Sequence, residues 1–180
     1  MKRVIAVCAL GLAGLPLALW LASTDDKAQT GSDPAPPVQR LPDASLPDLE
    51  DRMRSISEWS GRPLIINFWA TWCAPCRREM PLLQSAQDSQ SEGGLQIIGI
   101  ALDTRKDAKR FVTENGIRYP VLYGEHEGAV FAESFGDAFV ALPFSVFVAP
   151  DGQVVAQKSG ELQPEELRRL IVQLDGRTQE

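Results

Sequence analysis

Histidine is almost absent from this chain: His126 is the single one. That argues against a His-rich metal centre and against a Ser-His-Asp triad. Cysteine is scarce too, with three among 180 residues. Three are too few for a disulfide scaffold, so a pair among them reads as reactive or metal-binding rather than as a staple. Basic residues are outnumbered, 18 Lys and Arg against 24 Asp and Glu, for a net charge of -6. Lys2 and Arg3 stand ahead of the first long apolar run, and without them the remainder carries -8. Such an acidic body lacks the clustered cations that phosphate backbones require, so no nucleic-acid partner is expected. What remains is ordinary globular composition, 44% hydrophobic and 23% charged. It fits one domain with some chain left over, and excludes a disordered protein, a collagen and a multi-span membrane protein.

Residues 1–22 read as a signal-anchor or a signal peptide. Lys2-Arg3 forms a short positive region, and Val4 to Ala22 follows without a charge. As a helix that run is roughly 28 Å long, close to the thickness of a bilayer core. The positive flank keeps the N-terminus in the cytoplasm and puts the rest outside. Cleavage wants small residues at positions -3 and -1. Ending at Ala22 puts Trp20 at -3, and ending at Ser23 puts Leu21 there, so an uncleaved anchor is favoured over a cleaved signal. Cys8 reads as an apolar residue of this segment rather than a lipidation site, because Val7 is bulky and the run continues far past it.

Residues 23–45 read as a linker rich in Pro and Asp. Between Ser23 and Pro47 stand five prolines and four aspartates, a composition that buries little and stays extended. One domain follows, residues 46–174, large enough for its own core, with 175–180 as a tail. Met53–Trp59 is a weak strand or short helix. Leu64–Trp69 is a buried strand opened by Gly61-Arg62-Pro63. Ala74 to about Ser89 is a helix, in which Pro81 removes a backbone bond and predicts a kink. Leu95–Leu102 is a second apolar strand, Asp107–Asn115 an amphipathic helix and Pro120–Tyr123 a short strand. Ala129–Phe135 is a short helix, preceded by a polar loop that holds His126 at the surface. Phe144–Val148 and Gln153–Lys158 form a hairpin across Ala149-Pro150-Asp151-Gly152. Pro164–Leu174 is the last helix. This alternation predicts an α/β fold, a mixed central sheet flanked by helices.

The chemistry sits in Trp72-Cys73-Ala74-Pro75-Cys76, between a buried strand and a helix. Two thiols two residues apart at a helix start can close a small disulfide. Cys73 would stand at the helix N-terminus, where free N–H groups and the dipole stabilise a thiolate and make it the attacking sulfur. Cys76, one turn inside and less exposed, would resolve a mixed disulfide. No metal site is expected, since there is no second Cys-x-x-Cys and no His-x-His. Arg77 and Arg78 would raise the local positive potential. Trp69 reads as packing, Trp72 as a residue of the active-site surface. Asp103 has no assigned role.

The run Phe68-Trp69-Ala70-Thr71-Trp72-Cys73-Ala74-Pro75-Cys76-Arg77-Arg78-Glu79-Met80-Pro81 resembles the active site of the thioredoxin superfamily. It is most similar to the membrane-tethered or periplasmic thiol-disulfide oxidoreductases of the TlpA/ResA type, which include cytochrome c maturation reductases. Further matches are Gly99–Asp103, Gly116–Pro120, and Ala141–Val148 with its Asp151-Gly152 turn. The resemblance implies a thioredoxin-like fold with an N-terminal membrane segment. It implies that Pro143 is cis, which would present the Leu142 backbone and side chain to an extended substrate. It assigns Glu79 to proton handling at Cys76. Asn67 departs from cytoplasmic thioredoxins, which carry a buried acid there, and this strengthens Glu79 as the titrating group.

The resulting expectation is an envelope enzyme that reduces protein disulfides through Cys73 and Cys76. It needs no dissociable cofactor. Trp72, Leu142 and Pro143 would meet the substrate protein. A membrane electron donor of the DsbD or CcdA type would restore the dithiol, and a monomer is expected. The alternatives are a disulfide-forming oxidase of the same fold, a thiol peroxidase and a copper-binding redox chaperone.

Overall fold

The computed structural model describes residues 39–89 and 94–176. The expected anchor or signal at 1–22 lies outside them. Among the described residues no helix is long and apolar enough to cross a membrane.

The body is a five-stranded mixed sheet with helices on both faces. β1 (Ser45–Pro47) and β2 (Met53–Ser55) form a small antiparallel pair ahead of it. A short 3-10 turn follows at Ile56–Trp59, and its capping box joins Ser55 to Glu58. Then come β3 (Leu64–Trp69), α1 (Ala74–Asp88), β4 (Gln96–Ala101), α2 (Arg105–Glu114) and β5 (Val121–Tyr123). α3 (Glu125–Glu133), β6 (Phe144–Val148), β7 (Val154–Ser159) and α4 (Pro164–Gly176) complete the order. The strands line up as β5-β4-β3-β6-β7. β3, β4 and β5 are parallel, while β6 runs antiparallel to both β3 and β7.

Every residue of β3 is buried because the sheet is covered on both sides. Leu64, Ile66 and Phe68 enter one core, with Ile98, Ile100, Val146, and Phe131 of α3. Ile65 and Trp69 enter the other, with Met80 and Leu83 of α1, Ala108 of α2, and Leu167 and Leu174 of α4. Phe68 lies among Phe131, Phe135 and Phe144, with ring centroids 5.5 to 6.0 Å away. The strand alternation that makes both cores leaves one polar row on the α1 side. Asn67 stands opposite Gly99 on one neighbour and Ser145 on the other.

Two features depart from the sequence expectation. α3 begins at Glu125, four residues before the expected start. His126 is therefore in the first helical turn and not in a loop, although its side chain is exposed as expected. The misleading signal is Gly128, which is buried helix and not a breaker. A Cβ there would meet Ile100 Cγ2 and Leu102 Cδ1, each at 3.3 Å, so glycine lets α3 lie close on the sheet. The segment ahead of Leu46 also engages the sheet. Val154 N–H donates to Gln39 O at 2.8 Å, and Leu41 N–H donates to Gly152 O at 2.9 Å.

Candidate active site

α1 starts directly after β3, and the connection is tied down at both ends. Cys73 N–H donates to Ala70 O at 3.1 Å. Thr71 donates its N–H (2.9 Å) and its hydroxyl (2.5 Å) to Asp103 Oδ2, and Thr104 N–H donates to Asp103 Oδ1 at 2.9 Å. Asp103 is buried at the end of β4. Sequence reasoning left it without a role, because nothing near it in the chain reveals that it faces Thr71, 32 residues away.

Cys73 is the N-cap of α1, and its sulfur accepts the Cys76 N–H at 3.3 Å. The two cysteines form a disulfide. Cys73 keeps 5% of its surface exposed and Cys76 none, so both are buried and Cys76 is the more deeply enclosed. The Cys76 N–H faces Cys73 Sγ, and with the helix dipole it would stabilise a thiolate there.

Glu79 lies one turn beyond Cys76 and is 2% exposed. Asn67 Nδ2 donates to its Oε1 at 2.7 Å, and Leu162 N–H donates to its Oε2 at 2.7 Å. Asn67 Nδ2 also donates to Ser145 Oγ at 3.0 Å, while Asn67 Oδ1 is buried without a partner. Burial pushes the Glu79 carboxyl up to about 7. The hydrogen bonds from Leu162 and Asn67 oppose that shift, and the charges of Glu161 and Glu166 add to it. Tyr119 is buried close enough to feel Glu79, and burial pushes its own hydroxyl up.

The Leu142–Pro143 peptide is cis. Pro143 is buried, and its carbonyl accepts the Gly160 N–H at 2.8 Å. Leu142 is half-buried and touches both cores. Trp72 is 70% exposed, whereas Trp69 is fully buried against Phe111. Arg77 is exposed. Arg78 is paired with Glu161, so its charge is compensated locally. Among the described residues no three His, Cys, Asp or Glu side chains come together as a metal-ligand set.

A family model described as AhpC/TSA matches residues 37–157. The thiol-disulfide oxidoreductase ResA of Bacillus thuringiensis (strain Al Hakam) is 30% identical over 167 residues, covering 92% of this chain and 90% of that protein. The chain belongs to the AhpC/TSA family, as a ResA-type thiol-disulfide oxidoreductase. Solved structures agree. A secreted thiol-disulfide isomerase from Corynebacterium glutamicum superposes with a TM-score of 0.66 at 27% identity, covering 77% of this chain and 87% of that one. A thioredoxin-related protein from Neisseria meningitidis serogroup B has a TM-score of 0.65 at 28% identity, covering 73% and 98%. The fold is thioredoxin-like, and the protein is an enzyme of thiol-disulfide exchange acting through a disulfide-forming cysteine pair. Family membership points to an envelope protein facing the periplasm, with a disulfide-bearing partner.

Proposed function

We propose that the chain reduces protein disulfides in the cell envelope, held at the membrane by residues 1–22, with the part of the linker ahead of Gln39 as its tether. In the reduced enzyme, Cys73 thiolate attacks one sulfur of a substrate disulfide. A mixed disulfide forms and the first substrate thiolate leaves. Cys76 then loses its proton, attacks Cys73 Sγ and displaces the second substrate thiolate. Two electrons pass to the substrate and the Cys73–Cys76 disulfide closes. Glu79 is the acceptor of the Cys76 proton, since a carboxyl that titrates near neutrality can both take and return it. A membrane donor of the DsbD or CcdA type returns two electrons. Trp72, Leu142 and Pro143 meet the substrate chain. An apocytochrome c with an oxidised haem-binding pair is the substrate that the ResA relationship favours.

The observation that carries this reading is the asymmetry of the pair: Cys73 caps the helix and keeps a little surface, while Cys76 is fully enclosed, one turn from a carboxyl of raised pKa. Equilibration of the full chain against glutathione tests it. A reduction potential near or below about -230 mV is expected, and a value near about -120 mV would make the protein an oxidant instead.

A further inference from the structure

Two consecutive residues of α1 hold two consecutive residues of the loop between β7 and α4. Arg78 Nε donates to both carboxylate oxygens of Glu161 at 3.1 Å, and Arg78 Nη2 donates to Oε2. One residue further along each segment, Glu79 accepts the Leu162 N–H at 2.7 Å. The first contact is at the surface, with Arg78 60% and Glu161 26% exposed. The second is buried. Both links join the same two stretches of backbone, so the loop cannot move away from Glu79 without breaking the outer fork.

We propose that the Arg78–Glu161 fork is a positioning device for Glu79: it clasps the loop so that the Leu162 N–H stays on the carboxylate. This rests on the reading of Glu79 as the proton acceptor of Cys76. A carboxylate in a dry site keeps its charge only where donors face it. Two face this one, Asn67 from β3 and Leu162 from the loop. The other groups around it are Glu161 in the loop, Glu166 on α4 and Tyr119 ahead of β5. Lys158 of β7 pairs with Glu166 at 3.1 Å, as Arg78 pairs with Glu161, so both neighbouring acids are compensated. Unfastening the fork by removing Arg78 acts in one direction. It loosens a donor, uncovers the Glu161 charge and removes a nearby cation, and each change favours protonated Glu79. The guanidinium geometry matters because a fork fixes orientation as well as distance.

The test uses full-length oxidised protein, in which neither active-site thiol titrates. Amide exchange of Leu162 and side-chain carboxyl NMR of Glu79, identified through Glu79→Gln, are followed in Arg78→Gln and Glu161→Gln. Leu162 exchange is expected to speed up several-fold in both variants, with exchange in the sheet unchanged. The Glu79 titration is expected to rise by about half a pH unit in Arg78→Gln, the scale of an exposed ion pair. Arg78→Lys, which keeps the charge without the fork, is expected to speed Leu162 exchange as well. Unchanged Leu162 exchange in Arg78→Gln and Glu161→Gln would overturn the clasp. Failure of the proton-acceptor reading is separate: it would show as Glu79→Gln leaving the pH profile of disulfide reduction intact, whatever Leu162 does.

Discussion

Asn67 donates a 2.7 Å hydrogen bond to Glu79 across twelve residues of chain, joining the centre of β3 to the helix that carries both cysteines. The amide oxygen of Asn67 is itself buried and unpartnered. The ionised acid takes the amide N–H. A protonated acid needs an acceptor, and turning the amide would supply one.

Glu79→Gln separates stability from catalysis. The folded-state pKa of Glu79 lies near 7, above the 4.5 of an unperturbed glutamate. Between these values the folded protein binds a proton that the unfolded chain does not, so stability falls as pH rises through that window. The amide cannot ionise. Glu79→Gln is therefore expected to gain stability over the parent on going from pH 4 to pH 8, by up to about 3 kcal/mol. Urea unfolding at the two pH values checks this. Disulfide reduction is expected to fall about tenfold or more and to lose its rise through pH 7.

The two cysteines are expected to fail differently. Cys76→Ser leaves an attacking sulfur without a resolving one, so a mixed disulfide with the substrate should accumulate at Cys73. Cys73→Ser should form none, since Cys76 is fully buried. Mass spectrometry of acid-quenched mixtures with an oxidised peptide distinguishes them. Adducts on Cys76 in the second variant would reverse the assigned roles.

Asp103→Ala is expected to loosen the approach to Cys73. It would leave the N–H groups of Thr71 and Thr104 and the Thr71 hydroxyl without their acceptor. A loss of about 1 kcal/mol is expected, the net worth of hydrogen bonds whose donors are partly open to water. KM for a peptide disulfide should rise as the Thr71–Cys73 connection loosens. Denaturant unfolding and steady-state kinetics read the two effects.

Gly99→Ala should destabilise the centre of the sheet. Its Cβ would stand 3.0 Å from Trp69 Nε1 and 3.3 Å from both Tyr119 Cε2 and Val121 Cγ2. Overpacking of this kind costs about 1–3 kcal/mol. A lower thermal midpoint with an unchanged Cys73–Cys76 potential is expected, and equal midpoints would show that the site relaxes freely.

The strand Leu64–Trp69, the helix from Ala74 and the Phe144–Val148 hairpin were legible because each announces itself locally, by an apolar run, a turn signal or a cap. The same holds for Cys73 and Cys76, whose spacing along one helix turn is itself the chemistry. His126 shows where local reading stops: Gly128 looks like a breaker until Ile100 and Leu102 are seen packed against it. Sequence alone determined the α/β class and the dithiol, and the resemblance to TlpA/ResA-type enzymes pointed to Glu79 as the acid to examine. Tertiary structure alone decided the environment of that acid. Asn67 from the sheet, Leu162 from the loop before α4 and Tyr119 ahead of β5 converge on Glu79 from distant parts of the chain. A carboxyl's proton affinity depends on what surrounds it in space, and periodicity along the chain carries no record of that.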